Sequence, residues 1–302
     1  MVNSDLKPPP MCSNQLRIGY HVKLESTILE TLTKYPTVTT QFYMGNKLSF
    51  NTRDVTSDDW NNTYNYCTTN NQTFYVHTSL LCNLAHSTKQ YIVDGSMEVL
   101  QKQINTLTNL PAAAVLHVGN SGTISNIVAN TNNLQIGTSS FGPTLLFENS
   151  AGEGTKLGKS FDELRLLFEG LDSTEGKIGL CLDTQHMYGA GMCKFDSYQS
   201  VVTMFEEAES VVGTGVTLFH LNDSKVQYAS RVDRHQSISN GYIWGSGQLG
   251  SIEALDYLLC RCREDAIDIV GETGNPTNDL PIINSRLHYI DTRPKLVLTD
   301  DH

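Results

Sequence analysis

The sequence predicts an α/β fold, a single (β/α)8 TIM barrel with a metal site at the C-terminal ends of its strands. Two observations carry this reading. Short apolar or β-branched runs alternate with amphipathic helical segments along the 302-residue chain. A closed parallel sheet requires that order, because each parallel strand pair needs a crossover that packs back on the sheet. Side chains of metal-binding type then fall, run after run, where the predicted strands end. A mass of 33.4 kDa suits one such barrel.

Eight strand candidates follow one another: residues 17–22 (RIGYHV), 38–44 (VTTQFYM), 73–77 (TFYVH), 112–118 (AAAVLHV), 144–149 (TLLFEN), 177–183 (KIGLCLD), 216–222 (VTLFHLN) and 268–272 (DIVGE). Segments 96–107, 160–171 and 197–211 between them repeat apolar residues three and four apart, the spacing of a one-faced helix. Residues 1–16, with Pro8, Pro9 and Pro10, read as a flexible N-terminal arm, residues 17–292 as the barrel, and residues 293–302 as a C-terminal tail. Within the barrel, residues 51–72 are rich in Asn and Thr and read as a polar insertion, a short helix started by Ser57 followed by a polar loop.

Composition excludes several classes. Hydrophobic residues at 39% and charged residues at 18% place the chain on the globular side of the disorder boundary. No apolar run reaches the ~18 residues of a membrane span, and the N-terminus lacks the apolar stretch of a secretory signal. The expectation is an intracellular protein, cytoplasmic or nuclear, with no membrane partner. The seven cysteines are odd in number and scattered without a CxxC pair, which argues against a disulfide framework and a Cys-based zinc finger. A formal charge of −11 disfavours nucleic acid unless bound cations reverse the local potential.

Those cations are suggested by where donors fall. His77 ends the third strand, His117 the fourth, Glu148 the fifth, Asp183 the sixth with His186 just beyond, His220 the seventh and Glu272 the eighth. Asp233 and His235 form a DxH in the loop after the seventh. Singly, each has an ordinary alternative: a strand-end His is commonly a hydrogen-bonded structural group, and an acid after an apolar strand commonly caps the next helix. Together they bring four carboxylates and five imidazoles to one barrel mouth, a burial that costs several kcal/mol per unpaired ion unless cations neutralise it. Imidazole nitrogen and carboxylate oxygen without thiolate suit zinc, with manganese or iron also compatible. Nine donors exceed the needs of one tetrahedral ion. Three ions with three protein donors each, or shared through a bridging carboxylate, leave positions open for water and substrate oxygens, an arrangement suited to phosphoryl transfer. Three divalent ions also offset more than half of the formal charge of −11. The AGEGTKLG loop at 151–158 lacks P-loop spacing, so its glycines mark a tight turn and no nucleotide cofactor is expected.

The segments HTSLLCNLAHS (77–87), LHVGNS (116–121), LLFENSAGEGTKLG (145–158), IGLCLDTQHMYGAG (178–191) and FHLNDSKVQYASRVDRH (219–235) resemble the endonuclease IV family of abasic-site DNA repair nucleases. HLNDSK followed by RVDRH is the most specific of these, and the resemblance runs from about Arg17 to His288. It implies three Zn2+ sites: His77 and His117 on the first ion, Glu148 bridging to the second, Asp183, His220 and Glu272 completing the second, and His186, Asp233 and His235 on the third. Glu148 and Glu272 would serve catalysis, with a metal-bound hydroxide as nucleophile. The implied reaction is hydrolysis of the phosphodiester 5′ to an abasic site in double-stranded DNA, leaving a 3′ hydroxyl and a 5′ deoxyribose phosphate, with trimming of blocked 3′ ends. The implied enzyme is a monomer.

Asn46, Lys47, Asn222, Ser224, Arg231 and Arg234 are the candidate DNA contacts. For Asn222 and Ser224 the alternative is ligand orientation or a turn, and for Arg231 and Arg234 a structural ion pair. Where the family sets an aromatic residue and a groove-entering Arg, this chain has Leu80 and Leu48, with Lys47, Phe50 and Arg53 nearby as substitutes. His21 reads as a support for the ligands, His86 as a helix-end or core group, and Cys82 as buried apolar filler. The rivals are a barrel sugar isomerase or epimerase, which would need only Glu148, Asp183, His220 and Glu272, and an inactive DNA-binding relative.

Overall fold

A computed structural model of the chain describes residues 16–172, 176–213, 215–245, 249–273 and 276–292. The arm and the tail expected at the two ends lie outside the described residues, apart from Leu16. The elements run β1 (Ile18–His21), α1 (Ile28–Lys34), β2 (Thr39–Tyr43), α2 (Ser57–Asn70), β3 (Thr73–His77), α3 (Gln90–Leu107), β4 (Ala112–His117), α4 (Ile124–Asn132), β5 (Leu145–Glu148) and α5 (Phe161–Gly170). They continue with β6 (Ile178–Asp183), α6 (Thr184–Ala190), α7 (Tyr198–Val212), β7 (Val216–His220), β8 (Asp223–Ser224), β9 (His235–Gln236), α8 (Leu249–Glu264), β10 (Asp268–Gly271) and α9 (Pro276–Thr292). Eight of the strands close a parallel barrel in the order β1-β10-β7-β6-β5-β4-β3-β2. All eight predicted strands are therefore present, and the predicted TIM barrel is the fold.

The two-residue alternation of a strand sorts side chains between the barrel interior and the helical shell. In β5, Leu145 and Phe147 join the outer core under the helices while Leu146 joins the inner one. Counting in twos up each strand gives the interior its layers. An apolar middle layer holds Tyr75, Ala113, Val115, Leu146, Cys181, Leu218 and Val270. Two residues further along the same strands stand His77, His117, Glu148, Asp183, His220 and Glu272. Register then makes neighbours of donors: His117 pairs with Glu148 across β4 and β5, and Asp183 with His220 across β6 and β7. One fold-level fact, strand parity, thus brings six dispersed residues to one layer.

The helices are started by local chemistry. Thr27, Thr56, Thr123, Ser160 and Ser197 each accept, through the side-chain oxygen, the backbone N–H three residues on, satisfying a donor the helix leaves free. The segment read as a polar insertion is corrected here. Residues 57–70 form a full helix capped by Thr56 rather than Ser57, and it is the ordinary crossover from β2 to β3. Its buried face is narrow, Thr63 and Cys67, which is why hydrophobic spacing did not reveal it. The six described cysteines are all free and buried. Among the described residues no helix is long and apolar enough to cross a membrane.

Beneath the apolar layer the barrel is closed by a polar plug. Asp268, fully buried, accepts from Arg17 Nε, Thr73 Oγ1 and, at 2.9 Å, Tyr75 Oη. Burial raises the Asp268 pKa despite Arg17, as expected for a carboxylate taken out of water. Replacing Asp268 by Ala orphans three donors, so it is expected to destabilise the protein by about 3 kcal/mol, the low end for a broken buried pair because Arg17 stays partly hydrated. Urea unfolding measures this, and a loss under about 1 kcal/mol would contradict the plug's role.

Candidate metal centre

Three overlapping groups of donors crowd the mouth: His77, His117 and Glu148; Glu148, Asp183, His220 and Glu272; and Asp183, His186 and His235. Within each group the donor atoms all lie within 4.8 Å of one another. Glu148, fully buried, presents Oε2 to His77 Nε2 at 3.2 Å and to His117 Nδ1 at 3.6 Å, while Oε1 faces His220 Nδ1 at 3.1 Å. Its two oxygens thus serve two neighbouring groups. His220 Nδ1 is also 3.3 Å from Glu272 Oε2 and 3.9 Å from Asp183 Oδ2. Asp233 joins the third group through His186 Nε2 at 3.2 Å and His235 Nε2 at 3.3 Å. All nine sequence-predicted donors are brought together.

The rings are oriented by groups outside the cluster. His77 Nδ1–H donates to the Thr78 carbonyl (2.9 Å), His186 Nδ1–H to the Asn149 carbonyl (3.0 Å), and His220 Nε2–H to Gln41 Oε1 (2.9 Å). Each bond fixes a tautomer and turns the other, lone-pair nitrogen inward, as ligating histidines require. His117 Nδ1, His186 Nε2 and His235 Nε2 are buried and make no hydrogen bond. Three orphan imidazole nitrogens facing carboxylates fit divalent cations, since a buried polar atom is otherwise satisfied.

The charge distribution agrees. Burial disfavours the imidazolium of His186, yet Asp183, Asp233 and Glu148 outweigh it and hold its pKa well above the usual value. At His220 burial is likewise outweighed, by Cys181, Glu272 and Glu148. Burial would raise the Glu148 carboxyl, but His117 and His220 draw it well below the usual range. Glu272 is lowered in the same way, burial being overcome by His220 and His21. At His117 burial dominates and the pKa falls to about 4, leaving a neutral ring with a free lone pair.

Several residues that the sequence did not single out hold this arrangement. Gln41, fully buried, donates to Glu272 Oε1 at 2.7 Å while accepting from His220. A lone Gln inside the apolar run VTTQFYM was the available signal. Asn149 Oδ1 accepts from the Asp183 N–H at 2.7 Å. Asp183 itself both faces the cluster and caps α6, accepting from the His186 N–H, so the capping and ligand readings of that residue are compatible. Asp223 anchors the loop carrying Asp233 and His235: it accepts from the N–H groups of Ser224, Gly241 and Ile243. A Cβ at Gly241 would meet Asp223 Oδ1 at 2.5 Å, so only glycine lets the loop close on that carboxylate.

Two candidate DNA contacts are corrected. Asn222 is fully buried, donating to Asp183 Oδ2 (2.6 Å) and accepting from the Glu272 N–H (3.0 Å), so it orients two of the candidate donor residues. Ser224 is equally buried, its hydroxyl closing a turn with Val226. Neither has surface left for a substrate. Asn46, Lys47, Arg231 and Arg234 are exposed. Among the described residues the Arg234 guanidinium donates only to the Asp233 carbonyl and neither Arg234 nor Arg231 pairs with an acid, so no structural ion pair is found for either there. Lys47 O accepts from Leu80 N and Ser79 Oγ, joining two loops at the rim. Leu48, Leu80 and Leu81 are 61%, 44% and 40% exposed there, a solvent-facing apolar patch beside the mouth. His21 supports the cluster, its Nδ1 lying 3.5 Å from Glu272 Oε1. His86 Nδ1 accepts the N–H groups of Thr88 and Lys89 before α3, and Cys82 lies in the core. The loop at 151–158 is a tight turn, with Gly152, Gly154 and Gly158 at positive φ.

A parallel barrel with a donor cluster at its strand ends defines the class. The chain belongs to the xylose isomerase-like TIM barrel family, whose family model matches residues 39–276. Within that class it is similar to "Probable endonuclease 4" of Staphylococcus carnosus (strain TM300), 29% identical over 192 residues, 61% of this chain and 60% of the relative. It is 40% identical over 105 residues to "Probable endonuclease 4" of Alkaliphilus oremlandii (strain OhILAs), 34% of this chain and 36% of the relative. The matched stretches thus span less than two thirds of these relatives. Endonuclease IV from Thermus thermophilus shares the fold with a TM-score of 0.74 at 22% identity, over 90% of this chain and 99% of that one. A D-tagatose 3-epimerase-like protein shares it at TM-score 0.62 and 15% identity, over 91% and 98% of the two chains. The resemblance to the endonuclease IV family carried by the motifs is borne out.

The pKa directions set a pH test. In the metal-free protein, pairing of the raised His186 and His220 stabilises fully below about pH 6.5 and is lost as pH rises through their folded values. The lowered Glu148 and Glu272 stabilise above about pH 4.5 and lose this as pH falls. Cations need neutral rings, so loading gains with pH. The melting-temperature difference between zinc-loaded and chelator-treated protein is expected to widen from about pH 5.5 to about pH 8; a constant or shrinking difference in calorimetry would contradict the cluster's role.

Proposed function

We propose that this protein is a zinc-dependent endonuclease of DNA base excision repair. It hydrolyses the phosphodiester 5′ to an abasic site in double-stranded DNA, leaving a 3′ hydroxyl and a 5′ deoxyribose phosphate, and trims blocked 3′ ends. The observation that carries the reading is the size and division of the donor cluster: Glu148 faces two groups with its two oxygens, and a third group lies beside them. Three zinc ions, with manganese or iron as alternatives, would be held by His77 and His117; by Asp183, His220 and Glu272; and by His186, Asp233 and His235; Glu148 would join the first two.

Cations bound there would supply an activated water at neutral pH and charge to offset that of a departing oxygen. The chain's own residues prepare for this. Glu148 holds two donor groups at one spacing, Gln41 and Asn222 fix the carboxylates of Glu272 and Asp183, and the apolar middle layer keeps solvent from entering below. At the rim, Lys47, Arg231 and Arg234 offer positive charge to backbone phosphates, and Leu48, Leu80 and Leu81 offer apolar surface to bases. The proposed enzyme works as a monomer inside the cell.

A sugar epimerase uses the same fold, as the epimerase-like neighbour illustrates. Sugar chemistry at Glu148, Asp183, His220 and Glu272 gives no reason for the orphan nitrogens of His117, His186 and His235. An inactive DNA-binding relative would likewise have no use for the cluster. The test is cleavage of a duplex with one abasic site, with and without a strong chelator, resolving both product ends. A chelator-sensitive nick on the 5′ side with a 3′ hydroxyl is expected; no cut by metal-containing protein would favour the epimerase or inactive readings. Glu148→Gln is expected to lower the cleavage rate by at least ~1,000-fold while the protein stays folded, and near-normal activity would sink the bridging role.

A further inference from the structure

Among the described residues one cation reaches a carboxylate of the donor cluster, and the functional reading above leaves it unused. Lys156, in the loop between β5 and α5, places Nζ 3.0 Å from Glu153 Oε2 and 3.4 Å from Asp233 Oδ2. Among the described lysines and arginines, its charged group alone contacts a carboxylate of the nine candidate donors. Its side chain keeps 31% of its surface in solvent, so the ammonium touches the cluster on one side and the open mouth on the other.

The position is built rather than incidental. Lys156 N–H donates to the Glu153 carbonyl (3.0 Å), Leu157 N–H to the Gly119 carbonyl (2.8 Å), and Lys156 bridges to Asn120. Glu153 Oε1 also accepts the Asp233 N–H at 2.8 Å, so one carboxylate ties the lysine loop to the residue that the lysine faces. Asp233 Oδ2 lies between the ammonium and His186 Nε2, 3.2 Å from the latter, so the oxygen that Lys156 faces also faces the third donor group. A divalent cation in that group and the ammonium would be like charges facing one oxygen, which repel. Glu153 balances one of them. An anion lying across the mouth between the two relieves the rest, and a phosphodiester has two non-bridging oxygens with which to do so.

We propose that Lys156 is a substrate-contacting residue that binds a non-bridging oxygen of the phosphodiester beside the Asp233, His186 and His235 group, with Glu153 holding its ammonium in place. The proposal rests on the nuclease reading above. It extends that reading because the charged groups of the rim cations Lys47, Arg231 and Arg234 touch no donor carboxylate among the described residues, whereas that of Lys156 does.

The probe is a double-stranded oligonucleotide already nicked 5′ to a tetrahydrofuran abasic analogue that keeps its 5′ phosphate, so the non-bridging oxygens remain for Lys156 while no bond is left to cut at that position. Binding to zinc-loaded wild type, Lys156→Gln and Lys156→Arg is measured by fluorescence anisotropy over rising KCl, and zinc per chain by elemental analysis. Lys156→Gln is expected to weaken binding roughly tenfold at low salt and to flatten the slope of log K against log salt by about 0.9. Lys156→Arg is expected to keep the slope, and all three proteins to hold the same zinc. An unchanged slope in Lys156→Gln would overturn the proposal, as would loss of zinc, which would make Lys156 a prop for Asp233. Wild type that shows no salt-dependent binding would overturn the nuclease reading itself, an outcome visible before any variant is compared.

Discussion

Glu148 is a carboxylate with no access to solvent, set between imidazoles, and the mouth of the barrel is organised around it. A lone buried carboxylate would be expensive, but here each oxygen has its own set of nitrogens. The imidazoles in turn are held by carbonyls and an amide outside the cluster, so the mutual neutralisation has fixed geometry. Removing any one partner leaves an uncompensated charge or lone pair on the others. The groups therefore depend on one another in a way that single strand-end residues do not.

This arrangement needs support from below and from the side. Below, the apolar layer from Tyr75 to Val270 separates the cluster from the Asp268 and Arg17 plug, so two charged networks share one barrel without contact. From the side, the long connection after β7 has little regular structure beyond the short β8 and β9 pair, yet it carries Asp233 and His235. Asp223 gathers three N–H groups of that connection, and Asp279 accepts a fourth from Ile238. Buried acids thus substitute for secondary structure in a loop whose side chains must be placed accurately.

The rim reconciles an acidic protein with the anionic partner proposed for it. A formal charge of −11 describes the whole chain, whereas association is governed by the potential at the mouth. There the exposed Arg231, Arg234 and Lys47 stand without acid partners among the described residues, and Lys156 adds a cation at the edge of the cluster. The exposed leucines on the two linked loops give the same rim an apolar component.

Strand order, the barrel and all nine donors were legible in the sequence, because period-two alternation and strand-end position are local properties that parity converts into one layer. The α2 crossover was misread as an insertion, since its burial rests on Thr63 and Cys67 and leaves no apolar stripe to detect. Ser224 and Asn222 have the composition of surface contacts, and only packing shows them spent on a turn and on a carboxylate of the donor cluster. Gln41 and Asp223 were passed over for the same reason: an amide in a strand or an acid in a loop acquires its role from partners far away in sequence. Residue types and their periodicity determined which groups reach the mouth. Which oxygen faces which nitrogen, and which cation touches the cluster, was decided only when strands distant in sequence closed on one another.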